Sequence, residues 1–169
     1  MIEIIAQIIG IFGTCSMFLS FQIKKNSTFF VVQCLSGLFF ALNFLLLGAY
    51  TGSIFNFINI LRGSVLAGGK KYKKIYFLVL LQLLYVLTVV FTFNGWLSIL
   101  SLIAQLVGTF AMWTQNGKII RFGQLLCVSP IWLIHNIFVF SIGGIICEVF
   151  SIISIIVSLI RFGINGFDK

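Results

Sequence analysis

The feature that most constrains this chain is its division into apolar runs long enough to cross a bilayer. They fall at roughly 2–22, 28–47, 52–69, 75–92, 96–115, 119–141 and 144–162, separated by short polar breaks. Crossing ~30 Å of hydrocarbon takes about 20 helical residues at 1.5 Å each. Only 8% of the 169 residues are charged, against about 25% in soluble domains, so the chain could not solvate its own surface in water. The sequence predicts an all-α integral membrane protein with the lipid bilayer as its first partner. One bundle is expected to use residues 1–169.

A net charge of +8 would suit a nucleic-acid binder only if the basic groups formed a stripe or motif. Apart from Arg62 inside the third run, they are instead gathered in short clusters at or between the ends of apolar runs: Lys24 and Lys25, Lys70 to Lys74, Lys118 and Arg121, and Arg161 to Lys169. With seven spans, these clusters alternate with the uncharged loops 48–52, 92–95 and 141–144. The positive-inside bias then places the N-terminus outside and the C-terminus in the cytoplasm. The third run is short and interrupted by Asn56, Asn59 and Arg62. Removing it would put Lys24 and Lys25 on the opposite face from the 70–74 cluster, so seven is the better count. The first run has no basic leader and no A-x-A cleavage pattern, and is expected to stay as a helix. Glycines at 48–52 and 143–144 are expected to turn neighbouring spans into antiparallel hairpins.

A shift of 93 residues brings the two halves into weak register. Gln22 meets Gln115, Cys34 meets Cys127, Gly37 meets Pro130 and Asn43 meets Asn136. After the glycine turns a shift of 92 takes over, so that Asn56 meets Glu148. The organisation expected is a three-helix repeat over 1–69, a linker helix over 75–92 and a second three-helix repeat over 96–163. One intervening helix makes the repeats parallel, a scheme in which transporters place a site near the midplane between halves.

The segment WLIHNIFVFSIGGIICEVFSIISIIVSLIRF (132–162) resembles the C-terminal part of the bacterial inner-membrane YgjV family. GLFFALNFLLLGAYTGSIFNFINILR (37–62) is similar to its N-terminal half. The resemblance implies the bacterial cytoplasmic membrane and a place in the MtN3/SWEET/PQ-loop-like superfamily, with seven helices arranged 3+1+3. Characterised members there mostly move small solutes, and some are receptors. The stretch SFQIKKNS (20–27) resembles a PQ-loop motif with Phe21 where the proline would stand, and only Pro130 remains of the hinge prolines.

Strongly polar side chains inside hydrocarbon are costly and usually face the bundle interior. Asn56, Asn59 and Arg62 recur along one broad face of the third run, and Glu148, Ser151, Ser154 and Ser158 along a comparable stripe of the seventh. Asn43, His135 and Asn136 fall near the ends of the second and sixth runs. In the functional reading, Asn43, Asn56, Asn59 and Asn136 hydrogen-bond a small polar solute. Glu148 is then a counter-charge or protonatable group, His135 tunes or relays its proton, and Arg62 holds an anionic group. In the structural reading the same residues bond neighbouring helices, and Arg62 snorkels or pairs with Glu148. Both readings stay open at this level.

Cys15, Cys34, Cys127 and Cys147 all lie in apolar runs, where thiols act as small hydrophobes. No disulfide framework, metal-ligand spacing, cofactor motif or catalytic signature is present, so neither a metal, a cofactor nor an enzyme is expected. Trp96 and Trp113 fit interfacial anchors, and Trp132 lies deeper. The function expected is a small-solute carrier working by alternating access, with a non-transporting receptor or accessory subunit as the alternative. A second copy of the chain is allowed as a partner. A reporter fused to the C-terminus is expected to read as cytoplasmic, and an extracytoplasmic reading would overturn the orientation.

Overall fold

A backbone in hydrocarbon has no water to satisfy its N–H and C=O groups, so apolar runs close their hydrogen bonds internally as helices. The computed structural model describes residues 2–21, 26–68, 74–114 and 116–162. Seven helices account for nearly all of them: α1 (Ile2–Phe21), α2 (Asn26–Leu46), α3 (Tyr50–Ala67), α4 (Ile75–Thr92), α5 (Trp96–Thr114), α6 (117–138) and α7 (Ile142–Phe162). Gln22, Lys24, Lys25, the 70–73 part of the basic cluster, Gln115 and Lys169 lie outside the described residues, as does the middle half of the PQ-loop-like stretch, 22–25.

Four helices are long and apolar enough to cross a membrane by length and composition alone, namely α1, α4, α5 and α7. The other three depart for visible reasons. The apolar part described in α2 is the shorter stretch Val31–Leu46. Helix α3 carries Asn56, Asn59 and Arg62. Helix α6 is interrupted, running Gly117–Gly123, then a π turn at Gln124–Val128, then Ser129–Phe138 with Pro130 in its first turn. Its start is capped by Asn116, whose side-chain oxygen accepts from the N–H groups of Lys118 and Ile119.

Packing follows chain order around a closed path. Helix α2 packs on α1 and α3, α4 packs on α3 and α5, and α3 also touches α5 directly. Helix α6 packs on α5 and α7, and α7 returns to α1. The interior is filled by Phe44, Phe55, Tyr85, Trp113, Val128 and Trp132. Trp113, expected at an interface, is buried in this core at 8% exposure, whereas Trp96 is 54% exposed and meets Phe138 edge-on. Trp132 stacks on Phe44 with ring centroids 5.7 Å apart.

The turns after α2 and α6 have the same hydrogen bonding at an offset of 92 residues. Leu47, Gly48 and Ala49 N–H donate to the carbonyls of Asn43, Leu45 and Phe44. Val139, Phe140 and Ser141 N–H donate to those of His135, Ile137 and Asn136. The turn residue is left-handed in both, Gly48 at φ 73° and Phe140 at φ 55°. Two sequence expectations change here. The backbone register at the turns is 92, so Asn43 corresponds to His135 and not to Asn136. Gly143 and Gly144 do not make the second turn; they lie inside α7, and Phe140 takes the strained conformation instead.

Gly143 is needed for close approach. A β-carbon there would lie 2.5 Å from the Gly10 carbonyl oxygen and 2.8 Å from the Ile11 nitrogen. Two helix backbones therefore touch where α1 crosses α7, as small residues permit inside membranes. Thr14 secures the crossing by donating to the Gly143 carbonyl at 2.6 Å. Because backbone cannot yield as a side chain can, Gly143→Ala is expected to destabilise the protein by about 1–3 kcal/mol, the range for overpacking. Gly48→Ala has open space around it and should show only the left-handed backbone penalty, about 1 kcal/mol. Thermal unfolding in detergent compares the two, and equal stability of Gly143→Ala and the parent would refute the contact.

Candidate functional site

Polar side chains gather at the end of the bundle that carries the two matched turns. Asn43 is fully buried, its side-chain nitrogen donating to the Ala6 carbonyl at 2.7 Å and its oxygen accepting from the Ser141 hydroxyl at 2.7 Å. It ties α1, α2 and the α6–α7 turn together. Gln7 clamps the same turn from α1, donating to the Phe140 carbonyl at 2.6 Å and accepting from Ile142 N–H at 2.9 Å. The sequence expectation that Asn43 bonds a solute therefore meets a side chain whose donor and acceptor are both engaged in the fold.

His135 and Asn136 are 4% and 2% exposed. The imidazole packs edge-on against Phe44 and Trp132, and its Cε1 lies against Gly52 of α3, 3.1 Å from where a β-carbon would stand. Its Nδ1 is enclosed without a hydrogen-bond partner. His135 also lines a small cavity of about 60 Å³ bounded by Gly48 to Gly52, Thr92, Asn94, Leu97, Ser98 and Val139. Thr51 bonds Thr92 across this cavity's wall. Asn56 joins the group indirectly, as its side chain donates to the Gly52 carbonyl of its own helix at 2.9 Å.

Asn136 and Glu148 share the seam between α6 and α7. Gly144 lies against the Asn136 amide so closely that a β-carbon would be 2.5 Å from its Oδ1. One helical turn further along α7 is Glu148, which is bonded to Ser129, while Ser129 accepts from Gln124 in the π turn at 2.9 Å. Asn136 Oδ1 and Glu148 Oε2 are both enclosed without a partner.

Asn59 and Arg62 belong to a separate chain of bonds. Arg62 donates to Thr109 of α5 at 2.9 Å, Thr109 to the Tyr85 hydroxyl of α4 at 3.4 Å, and Tyr85 to the Asn59 side-chain oxygen at 2.8 Å. Tyr85 and Thr109 are fully buried. Each hydroxyl thus accepts once and donates once, and the arrangement locks α3, α4 and α5 together. The sequence reading missed Tyr85, Thr109, Gln7, Thr14, Ser129 and Ser141. A usable signal did exist in Gln7, Gly10 and Thr14, which recur at helical spacing in an otherwise apolar run.

The expected stripes of α3 and α7 therefore fall on different neighbours, α3 on α2, α4 and α5, and α7 on α1 and α6. The structure brings His135, Asn136 and Glu148 to α6 and its seam with α7, touches this group to α3 at Gly52, and leaves Asn59 and Arg62 on the α3–α4–α5 side. Among the described residues no three His, Cys, Asp or Glu side chains form a group fit to hold a metal ion.

No curated protein and no solved structure matches the chain. The profile of one protein family, Imp-YgjV, described as a bacterial inner membrane protein, matches residues 4–165. That match takes in all seven helices but for the first two residues of α1, and all of the residues just described, so the chain belongs to this family of bacterial inner membrane proteins.

Proposed function

We propose that the chain is a multi-pass carrier for a small polar solute, with seven spans, the N-terminus outside and the C-terminus in the cytoplasm. The observation that carries the reading is the set of three enclosed polar atoms without partners on α6 and α7: His135 Nδ1, Asn136 Oδ1 and Glu148 Oε2. An unpaired buried polar atom costs about 1–3 kcal/mol, and inside an apolar bundle such groups mark pathways for water or solute. Among the described residues the other such atom is Gln82 Oε1 of α4, so these three stand out by gathering on two adjacent helices, where a ligand could meet them together.

Alternating access between two three-helix repeats, 1–69 and 96–163, with α4 as linker, is supported by two features. The turns after α2 and α6 match at 92 residues. The contacts also match, because the last helix of each half meets the first helix of the other, α3 on α5 and α7 on α1. Asn136 and Glu148 then bind the solute from the α6–α7 seam, His135 lies at the entrance from the turn end, and Asn43 holds the halves in register. We assign no catalytic chemistry and no cofactor.

A second reading, a receptor or accessory subunit on the same scaffold, draws on the interlocked Gly10–Gly143 backbones and on Pro130 as the single proline. The test is uptake and exchange in proteoliposomes across sugars, amino acids, nucleosides and vitamins. One class of solute is expected to be taken up, and Asn136→Ala to lower that uptake about tenfold, as loss of one hydrogen bond to a buried polar ligand does. Cys15→Ser, at an exposed position, should leave it unchanged. Absence of flux across the panel, with stable co-purification of one protein partner, would contradict the carrier and favour the second reading.

A further inference from the structure

A groove runs along the outer surface between α5 and the first half of α6, on a face the proposed solute path does not use. Its volume is about 470 Å³, and it is lined by Val107, Phe110, Ala111, Lys118, Ile119, Phe122, Gly123, Leu126 and Cys127. Its floor is set by small residues, for a β-carbon on Gly123 would lie 3.2 Å from that of Ala111. Larger side chains stand beside it, with Phe110 58%, Ile119 44% and Leu126 71% exposed. The π turn at Gln124–Val128 contributes Leu126 and Cys127 to one wall, a kind of helix interruption that is frequent at functional sites.

The lining carries one charge, and its position identifies the occupant. Lys118 stands in the first turn of α6, directly after the short break that ends α5 at Thr114. Eight residues separate it from Leu126, roughly 12 Å along the helix. The groove surface is therefore apolar throughout, and Lys118 lines it at the end nearest the start of α6, which in the seven-span reading faces the headgroups. A lysine there lays its aliphatic stem along the apolar wall and keeps its ammonium at headgroup level, and basic pockets between membrane helices suit anionic headgroups.

We propose that this groove is a binding site for one anionic phospholipid, with an acyl chain against Phe110, Gly123 and Leu126 and the phosphate beside Lys118. The inference is independent of the carrier reading and concerns a different face of the molecule. It is tested with the full chain in nanodiscs of equal phosphatidylglycerol and phosphatidylcholine, followed by native mass spectrometry of the lipid that stays bound after release. Phosphatidylglycerol should be enriched about fivefold, the effect of one basic residue at an anionic surface. Lys118→Gln should return the ratio to that of the bilayer, and Lys74→Gln, outside the groove, should leave the enrichment in place. Retained lipid at the bulk ratio in the parent, or enrichment that survives Lys118→Gln, would overturn the proposal. So would a dimer without retained lipid, since a second copy would then cover the face.

Discussion

The closed path of helices depends on one contact, the backbone-to-backbone crossing of α1 and α7 at Gly10 and Gly143. In hydrocarbon, apolar burial gives helices little reason to associate, so close packing and hydrogen bonds must hold them. Here both act at one place. With Gly143 flush against α1, Thr14 reaches its carbonyl, Gln7 reaches the backbone of the α6–α7 turn, and Asn43 reaches across to Ser141. Gly144, next in line, presses on Asn136. Moving the two helices apart by the width of a methyl group would lengthen most of these bonds together. The crossing therefore also sets where Asn136 sits.

Polar groups in the interior divide into two kinds, and the division carries the functional argument. From Arg62 to Asn59 each group has a partner on another helix, which serves cohesion. His135 Nδ1, Asn136 Oδ1 and Glu148 Oε2 are enclosed and lack one. A fold selected for stability alone would pair or remove such atoms, because an unpaired polar group in a low-dielectric surrounding is costly. Gln82 Oε1 of α4 is a further such atom among the described residues, so the support for the proposed solute site is that the other three gather on α6 and its seam with α7.

Much of this was legible in the sequence, because the solvent dictates helices wherever apolar runs reach about 20 residues. The helix positions and the weakness of the third run follow from spacing and polarity, as does the burial of His135 and Asn136. Contacts were less legible. Gly143 reads as a turn residue, yet the turn is made by Phe140, whose φ of 55° no residue preference would suggest. Asn43 matches Asn136 as a letter while the turn hydrogen bonds pair it with His135. The π turn inside α6 leaves no mark in hydropathy, and the partners of Arg62 depend on how three helices meet.

The alternating access proposed above requires the two halves to separate at the α1–α7 crossing, where the last helix of the second half meets the first helix of the first. It is tested most directly by joining them. In a chain whose Cys15, Cys34, Cys127 and Cys147 are replaced by serine, Gln7→Cys and Ile142→Cys introduce a pair on the two sides of the crossing, where the native residues already touch. Solute uptake is then measured in proteoliposomes with the pair oxidised and again after reduction. The account predicts that oxidation stops uptake and reduction restores it, while either single cysteine alone is indifferent to oxidant. Uptake that continues at the reduced rate with the cross-link complete would contradict it.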